Sequence, residues 1–521
     1  ITGKTMKPPF ISLGLISATA LAYEILLMRL FSIIQWHHFA YMIISLALLG
    51  YGISGTLISI FQKPLVRSFS LTYPLLLLFF SLASFICFFL AQSIAFNPEA
   101  ILWDSQQTVY LLSIFIILSI PFLLTASAIC LVFIQYPQHI SRIYSIDLLG
   151  AGVGSISIIG LLFLTLPLQT LFIISLSGLL AALIAAKETR LYYEIQNKSI
   201  KIVSMTAVSI IALSLFFIPF SSLTISPYKG LSKTLNIKGA QLIEQQSSPL
   251  GLLSIVESPV VPFRHVPGLS LYNTQEPLEQ LALFTDASNL TAITQYPDKP
   301  NQLAYLDQLT SALAYHLKPI GNLLIVGAGG GSDILQAMYH QTGKIDAVEL
   351  NQKIIDLLTG PFAQYSGQIY LKENVQIYAQ DIRGFLSNRQ NHSKQNYDLI
   401  QISLMDSFNA SASGLYALNE SYLYTIEALE EYIKHLKPDA YLSISRWIKT
   451  PPRDTLKLFA TAIDALKKNN IHSVENHLVL IRSWQTSTLL IKPTPFNRHE
   501  IKQLKQFSQN RGFDVVWYPG I

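Results

Sequence analysis

Long apolar segments dominate the first 220 residues of the chain. A hydrocarbon core about 30 Å thick requires roughly 20 apolar residues in helical form. About seven segments reach this length, with approximate bounds Phe10–Ile34, Phe39–Phe61, Leu71–Ala95, Thr108–Ile134, Tyr144–Leu166, Leu168–Ala186 and Ile202–Phe220. The pattern predicts an all-α, multi-pass membrane domain over residues 1–220, with the lipid bilayer as its surroundings.

Beyond Ser221 the apolar segments become short and are separated by proline and glycine. This pattern is typical of strands and turns, and it predicts a small β-rich subdomain over residues 221–300, with strands between about Tyr228 and Ile293. A helix over Leu303–Leu317 then leads into strands that alternate with helices, which predicts a Rossmann-like α/β domain over 301–521. Its predicted strands are Asn322–Val326, Ile345–Val348, Val375–Ala379, Asp398–Ile402 and Tyr441–Ser445, and its predicted helices are Ile334–His340 and Glu420–Leu436.

Basic residues in the connections between the apolar segments indicate an orientation. Alternate connections carry them, at Lys4, Lys7, Lys63, Arg67, Arg142, Lys187, Arg190, Lys198 and Lys201. The positive-inside rule therefore predicts that the N-terminus and the connection at residues 187–201 are cytoplasmic. Seven spans would put the C-terminal domain outside, whereas a miscounted span would keep it inside, so its membrane face stays open.

Two ionisable residues, Glu24 and Arg29, fall within the first apolar segment, where a charge without a partner is costly. Five positions on a helix separate them by about 140°, so they cannot pair directly. They indicate either a polar site between helices or ion pairs with another span.

Small residues at a spacing of four also predict close helix packing, at Gly50 and Ser54 and at Gly150 and Gly154.

Composition limits the class of partner. Apolar residues make up 51% of the chain and charged residues 13%, and the net charge of +5 is spread without a basic block. Nucleic acid is therefore not expected as a partner.

The chain begins at Ile1 without a methionine and ends just after FDVVWYP, so we expect it to be a fragment.

A glycine-rich loop follows the predicted strand Asn322–Val326 and precedes a helix, in the sequence GAGGGSD. Gly327, Gly329 and Gly331 supply a tight turn whose backbone can approach a ligand without β-carbon clashes. Glu349 ends the next strand about 20 residues later, where a carboxylate can accept hydrogen bonds from both hydroxyls of a ribose. The combination predicts a nucleoside-binding site.

Polar residues also follow the third and fourth predicted strands. Asp381 follows one strand and Ser403 and Asp406 follow the other. Open parallel sheets bind ligands at this carboxyl edge. We expect Asp381 to accept a hydrogen bond from an adenine amino group, and Ser403 and Asp406 to face the reacting part of the cofactor or its acceptor.

From Leu250 to Trp447 the chain resembles the spermidine synthase (aminopropyltransferase) family, and more closely its membrane-embedded relatives. YEILLMRL near Tyr23 and YSIDLLGAGVG near Tyr144 are similar to the membrane part of those relatives. The resemblance implies a methyltransferase-type Rossmann domain that binds S-adenosylmethionine or its decarboxylated form, in a multi-pass protein of a bacterial inner membrane. The implied cofactor-binding residues are Gly327, Ala328, Gly329, Gly331, Asp333, Glu349, Asp381 and Ile382, the implied catalytic residues are Ser403 and Asp406, and no metal ligand is expected.

The chain departs from the family pattern at the motif residues that aminopropyl transfer requires. The aspartate of the family loop GGGDGG is Gly330 here, with Asp333 displaced, and the motif DxxDP appears as SLMDS, so that Ser403 stands where the base is expected. The motif YHE appears as Tyr305, Leu306 and Asp307. Without these aspartates, the positive charge of a polyamine acceptor would be uncompensated and its attacking amine would stay protonated. The residues of the cofactor pocket are therefore better preserved than those of the acceptor pocket.

Three functions remain open at this point. The first is a membrane transferase that uses S-adenosylmethionine or a close analogue, methylating an amine, a lipid or another membrane-proximal acceptor. The second is aminopropyl transfer, with Asp286, Asp307 and Asp406 rebuilding an acidic pocket. The third is a transporter or structural subunit with a non-catalytic Rossmann domain, which the span residues Glu24, Arg29 and Asp147 suggest. The sequence does not identify any membrane protein partner.

Overall fold

The computed structural model describes residues 7–35, 38–189, 222–389, 397–405 and 422–521. The chain divides into two compact units. The first comprises residues 1–229 and 247–252, and the second comprises residues 230–246 and 253–521.

The first unit is built from helices. Within the described residues, six of them are long and apolar enough to cross a membrane. This confirms the helices predicted for the first six candidate spans, whereas the predicted seventh, at 202–220, lies outside the described residues. The helices are α1 (Phe10–Ile34), α2 (His38–Ile60), the short α3 (Gln62–Arg67), α4 (Phe69–Ser93), α5 (Ser105–Gln135), α6 (Ile140–Leu164) and α7 (Pro167–Glu188).

Small residues bring α1 and α6 into backbone contact, as their spacing predicts. A β-carbon at position 150 would lie 2.3 Å from the carbonyl oxygen of Gly14, and one at position 154 would lie 2.1 Å from that of Ala18. At Gly50 of α2, a β-carbon would lie 2.6 Å from the β-carbon of Phe122 on α5. Only glycine permits these approaches, so the packing prediction is confirmed at all three positions.

Charged side chains form hydrogen bonds with backbone groups at both ends of α1. The two carboxylate oxygens of Glu188 accept hydrogen bonds of 3.0 Å from the backbone N–H groups of Ile11 and Ser12. At the other end, buried Lys229 donates through Nζ to the carbonyl oxygens of Ser32 (2.6 Å) and Ile33 (2.7 Å). A carboxylate at the N-terminus and an ammonium at the C-terminus both complement the helix dipole.

Two polar residues of the spans also have hydrogen-bond partners. Asp147 of α6 accepts a hydrogen bond from the Ser17 hydroxyl of α1, and Arg29 donates to the Ser32 hydroxyl. These contacts agree with a structural role for both residues.

Most of a four-stranded sheet in the order β1-β2-β3-β4 belongs to the second unit, and its strands β2, β3 and β4 pair antiparallel, which confirms the β-rich subdomain. Its strands are β1 (Gln241–Ser248), β2 (Gly251–Glu257), β3 (Gln280–Thr285) and β4 (Asn289–Thr294), and the short helix α8 (Gly230–Leu235) precedes them.

An eight-stranded sheet forms the rest of this unit, in the order β12-β10-β11-β9-β8-β5-β6-β7. Strands β5 to β9 are parallel and the others pair antiparallel, with buried aliphatic residues on both faces. The strands are β5 (Asn322–Val326), β6 (Lys344–Glu349), β7 (Val375–Ala379), β8 (Tyr397–Ser403), β9 (Leu436–Trp447), β10 (Leu478–Arg482), β11 (Thr486–Ile491) and β12 (Asp514–Trp517). The helices are α9 (Leu313–Leu317), α10 (Ser332–Tyr339), α11 (Gln352–Thr359), α12 (Ile382–Arg389), α13 (Ile426–Lys434), α14 (Arg453–Lys468) and α15 (Arg498–Arg511). The predicted Rossmann-like fold is therefore confirmed.

The prediction of one α-helix over Leu303–Leu317 is wrong. Two 3-10 helices, Pro300–Gln308 and Thr310–Ala312, occupy most of it, and only α9 is α-helical. Leu309 between them is extended (φ −109°, ψ 152°), so a continuous ladder of α-helical hydrogen bonds cannot form.

An ion-pair network ties α15 to these turns. Asp307 accepts hydrogen bonds from Arg511 and from His316, whose Nε2 lies 2.6 Å from its Oδ1, and the Nε2 of His340 lies 3.2 Å from the same oxygen. The three residues Asp307, His316 and His340 could together hold a metal ion by distance alone. The guanidinium of Arg511, however, already supplies positive charge to this carboxylate, so we interpret the cluster as a structural ion pair.

Valine at position 154 is expected to destabilise the helical unit, because its side chain would collide with the carbonyl of Ala18. Overpacking of this kind costs about 1–3 kcal/mol. The matched control is Gly152→Val on the same helix, where a β-carbon meets no atom within 4 Å. Thermal unfolding in detergent compares the two variants, and equal melting temperatures would contradict the described packing.

Asparagine at position 307 is expected to destabilise the second unit by roughly 2–3 kcal/mol, because Arg511 loses its partner in a largely buried setting. Burial raises the pKa of Asp307, but hydrogen bonds from His316 and His340 and the charges of His316 and Arg511 hold it well below its usual range. The contribution is therefore fully present at pH 7 and is lost only as the pH falls below about 3.9 towards the lowered pKa.

The control for this substitution is Asp514→Asn, which breaks the exposed ion pair with Arg482 and should cost less than about 1 kcal/mol. Thermal unfolding at pH 7 measures both variants. If Asp307→Asn were as mild as the control, the network would not stabilise the fold.

Candidate functional site

The glycine-rich loop joins β5 to α10 at the carboxyl edge of the parallel strands. Gly327, Gly329 and Gly331 have φ values of +78°, +51° and +88°, in the left-handed region that favours glycine. The N–H groups of Gly327 and Ala328 donate to the carbonyl oxygen of Val348 at 2.8 and 3.2 Å. This pairing of the loop with β6 brings it beside the end of the neighbouring strand.

Glu349 ends β6 and contacts the loop directly. Its Oε2 accepts a hydrogen bond of 3.0 Å from the N–H of Gly329, and its Oε1 accepts one of 2.8 Å from the N–H of Asn351. Burial raises the pKa of the Glu349 carboxyl, although these hydrogen bonds oppose the shift. The carboxylate still lines the cleft described below, so its remaining lone pairs can accept from a ligand.

Part of the loop packs against protein. A β-carbon at position 330 would lie 2.0 Å from the carbonyl oxygen of Ala292 on β4, and one at position 331 would lie 2.0 Å from Cδ1 of Ile369. Thr291 accepts a hydrogen bond from the N–H of Gly330 at 3.0 Å. At Gly331, therefore, the missing β-carbon permits close packing as well as the turn.

A cleft of about 740 Å³ opens between the glycine-rich loop, the β-rich sheet and the carboxyl ends of the parallel strands. Of the residues predicted from the sequence, six line it, namely Gly327, Ala328, Gly329, Asp333, Glu349 and Ser403. A volume of this size suits a cofactor-sized ligand. The structure thus brings together most of the predicted nucleoside-binding residues.

Asp333 lies in the first turn of α10, on the floor of this cleft. Its Oδ1 accepts a hydrogen bond of 2.9 Å from Nε2 of Gln401, and it also shares a hydrogen bond with the hydroxyl of Ser403. Burial raises the pKa of this carboxyl to about 6, and the two hydrogen bonds reduce the shift. Asp333 is therefore a carboxyl group that titrates close to neutral pH.

Asp381 and Ile382 do not line the cleft. The carboxylate of Asp381 accepts hydrogen bonds from the N–H groups of Arg383 (2.9 Å) and Gly384 (3.3 Å), as a residue that caps α12 does. Ile382 is buried in the apolar cluster on one face of the sheet. Capping and core packing account for these two positions, and the adenine contact of Asp381 and the cofactor contact of Ile382 stay predictions.

The acceptor residues predicted from the sequence are only partly brought together. Asp406 lies outside the described residues, so its predicted catalytic role is not described by the structure. Asp286 and Asp307 do not line the cleft, and Asp307 is held by Arg511. At the position of the family motif YHE, Leu306 lines the cleft instead.

Several cleft residues have no counterpart in the sequence-based prediction. Arg264, His265, Trp447 and Trp484 also line the cleft, and Trp447 ends β9, which β8 and β5 separate from β6 and Glu349. Burial lowers the pKa of His265 to about 4, so its imidazole is neutral at pH 7. Gln401 does not line the cleft but donates to Asp333, and the sequence carried a signal for it, since it is a polar residue within the apolar strand sequence YDLIQIS.

Comparison with known proteins agrees with this geometry. Residues 304–492 match the family model of the spermine/spermidine synthase domain. No curated protein matches the chain.

Among solved structures, a spermidine synthase from Thermotoga maritima is 16% identical, with a TM-score of 0.34, over 53% of this chain and 80% of that one. A probable spermidine synthase from Corynebacterium glutamicum is 13% identical, with a TM-score of 0.35, over 53% and 90%. Human methyltransferase-like protein 13 is 15% identical, with a TM-score of 0.27, over 42% and 93%.

These identities and TM-scores are low, so the assignment depends on the family model and on the sheet topology. Both agree with the resemblance noted in the sequence. Residues 304–492 match the spermine/spermidine synthase domain, which indicates an S-adenosylmethionine-related transferase, and they follow six helices of the described part of the chain that are apolar and long enough to cross a membrane.

Proposed function

We propose that this protein binds S-adenosylmethionine or a close analogue in the cleft and transfers its methyl group to an amine, a lipid or another small acceptor near the membrane. The observation that carries the proposal is the buried Glu349 carboxylate, bonded to the N–H of Gly329 at the edge of the cleft. A carboxylate beside a glycine-rich loop is suited to the ribose of an adenosyl group. We further propose that the protein resides in a bacterial inner membrane.

The charges around the cleft favour methyl transfer over polyamine chemistry. Among the described residues that line it, the carboxylates are Asp333 and Glu349, whereas Lys233 and Arg264 are cationic. A polyamine carries several positive charges and needs more acidic partners than these. A sulfonium methyl group is already activated, so alignment of a nucleophile supplies much of the rate.

Aminopropyl transfer is the second candidate, and the match of residues 304–492 to the spermine/spermidine synthase domain favours it. The same cleft would then hold decarboxylated S-adenosylmethionine, with a diamine as the acceptor. The two candidates share the adenosyl site and differ in the group that is transferred.

Calorimetric titration of the purified protein in detergent tests the shared site. We expect saturable binding of at least one of S-adenosylmethionine, S-adenosylhomocysteine, decarboxylated S-adenosylmethionine and methylthioadenosine. Glu349→Ala should weaken that binding by about tenfold or more, since a charged hydrogen-bond acceptor is lost. The control is Asp356→Asn, which removes an exposed carboxylate on α11, outside the cleft, and should bind like the wild type. Absence of binding by all four compounds would refute the proposal.

A product assay separates the two candidates. We expect purified protein supplied with decarboxylated S-adenosylmethionine and putrescine to form no spermidine, because the described residues that line the cleft include only two carboxylates, Asp333 and Glu349, beside two cations. Mass spectrometry of the products measures this, with an authentic spermidine synthase as the positive control. Spermidine formed at a catalytic rate would establish the second candidate in place of the first.

A further inference from the structure

Asp333 stands at the end of an oriented chain of hydrogen bonds. The carbonyl oxygen of Leu306 accepts from Nε2 of Gln336 at 2.7 Å, which leaves Oε1 of Gln336 as the acceptor for Nε2 of Gln401 at 3.0 Å. The hydroxyl of Tyr315 donates to Oε1 of Gln401 at 2.8 Å. These contacts fix the amide of Gln401 so that one of its N–H groups donates to Gln336 and the other is directed to Asp333.

Ser403 completes the surroundings of Asp333 on the cleft side. It ends β8, lines the cleft and shares a hydrogen bond with the Asp333 carboxyl. Because Asp333, Gln401 and Ser403 come from the adjacent elements α10 and β8, the carboxyl is held in place and still faces the cleft. Such preorganisation is typical of a group that acts on a ligand.

The groups around Asp333 are mostly neutral. Gln336 of its own helix and Gln401 and Ser403 of β8 carry no charge, and Tyr315 of α9 is protonated, since burial and the Asp333 charge raise its pKa well above the usual value. With no cation among these neighbours, the carboxyl holds a proton up to about pH 6. A group that titrates near the working pH is well suited to accept a proton in a reaction.

Glu349 is the other carboxylate that lines the cleft among the described residues, and its hydrogen-bond partners differ from those of Asp333. Both of its oxygens already accept hydrogen bonds from backbone N–H groups, of Gly329 and Asn351. It lies at the end of β6, on the opposite side of β5 from Ser403 at the end of β8. The two carboxylates thus divide the cleft into a side suited to the ribose and a side suited to the reacting group.

We propose that Asp333 faces the reacting sulfonium end of the bound cofactor and is the proton acceptor of the transfer, a proposal that rests on the function proposed above. The acceptor is then a nucleophile that carries a proton, such as an amine or a hydroxyl. Its lone pair forms a bond to the methyl carbon, the carbon–sulfur bond breaks, and the electron pair stays on sulfur as a neutral thioether. The proton released by the nucleophile goes to Asp333, with Gln401 and Ser403 as positioning residues.

Proton release on binding tests the placement of Asp333 without knowledge of the acceptor. A sulfonium beside the carboxyl favours its ionised form, so binding of S-adenosylmethionine at pH 6 should release a measurable fraction of a proton. S-adenosylhomocysteine, which has a neutral sulfur, should release far less. Calorimetry at pH 6 in buffers with different ionisation enthalpies measures both values.

Variants identify the group that titrates. Asp333→Asn should still bind S-adenosylhomocysteine, which shows that the cleft is intact, and should release equal amounts of protons with both ligands. Adding Ser403→Asp to this variant should restore the difference, because the carboxylate returns on the facing strand. Asp356→Asn, an exposed substitution outside the cleft, should behave like the wild type.

Two results would overturn this inference while leaving the proposed function intact. One is equal proton release with both ligands in the wild type, and the other is an unchanged difference in Asp333→Asn. If neither ligand binds to the wild type, decarboxylated S-adenosylmethionine and methylthioadenosine, which also differ in the charge on sulfur, replace them in the same measurement. If none of the four compounds binds, the proposed function itself fails.

Discussion

The hydrogen bond between the N–H of Gly329 and the carboxylate of Glu349 is the contact on which the candidate site depends. It requires β5 and β6 to run parallel and in register, so that the glycine-rich loop and the last residue of β6 meet at one edge of the sheet. It also requires the left-handed backbone of Gly329, which directs the N–H towards the neighbouring strand. The ribose pocket therefore follows from the order of the strands.

The same loop also joins the two sheets of the second unit. Gly330 approaches the backbone of Ala292 on β4, and Thr291 accepts from its N–H. On the other side, the hydroxyl of Tyr370 donates to the carbonyl oxygen of Gly329 at 2.7 Å. Because the loop is fixed by protein contacts on both sides, its shape is set before a ligand binds. Such a preformed site lowers the entropic cost of ordering the loop on binding.

Local sequence patterns were sufficient for the elements that depend on periodicity. The first six spans and the strands around the glycine-rich loop were predicted within a few residues, because continuous apolar segments of about 20 residues and short buried strands have few alternative structures. The helix predicted over 303–317 failed because an apolar pattern does not distinguish 3-10 turns from an α-helix when one residue, Leu309, adopts an extended backbone.

Side-chain roles within the site were harder to predict, since they depend on tertiary contacts. Asp333 was identified as a displaced family aspartate, but its hydrogen bonds to Gln401 and Ser403 appear only when α10 packs against β8. Asp381 was expected at the adenine, yet its carboxylate caps α12, a competing local use that follows from its position just before a helix. The cleft residues Trp447 and Trp484 come from separate parts of the chain and share no sequence motif.

The structure of the protein determined with bound S-adenosylhomocysteine would test the central claim most directly. We expect the adenosine to lie along Gly327–Gly329, with the ribose hydroxyls within hydrogen-bond distance of the Glu349 carboxylate. A ligand bound elsewhere, or a Glu349 side chain turned away from the ribose, would contradict the account.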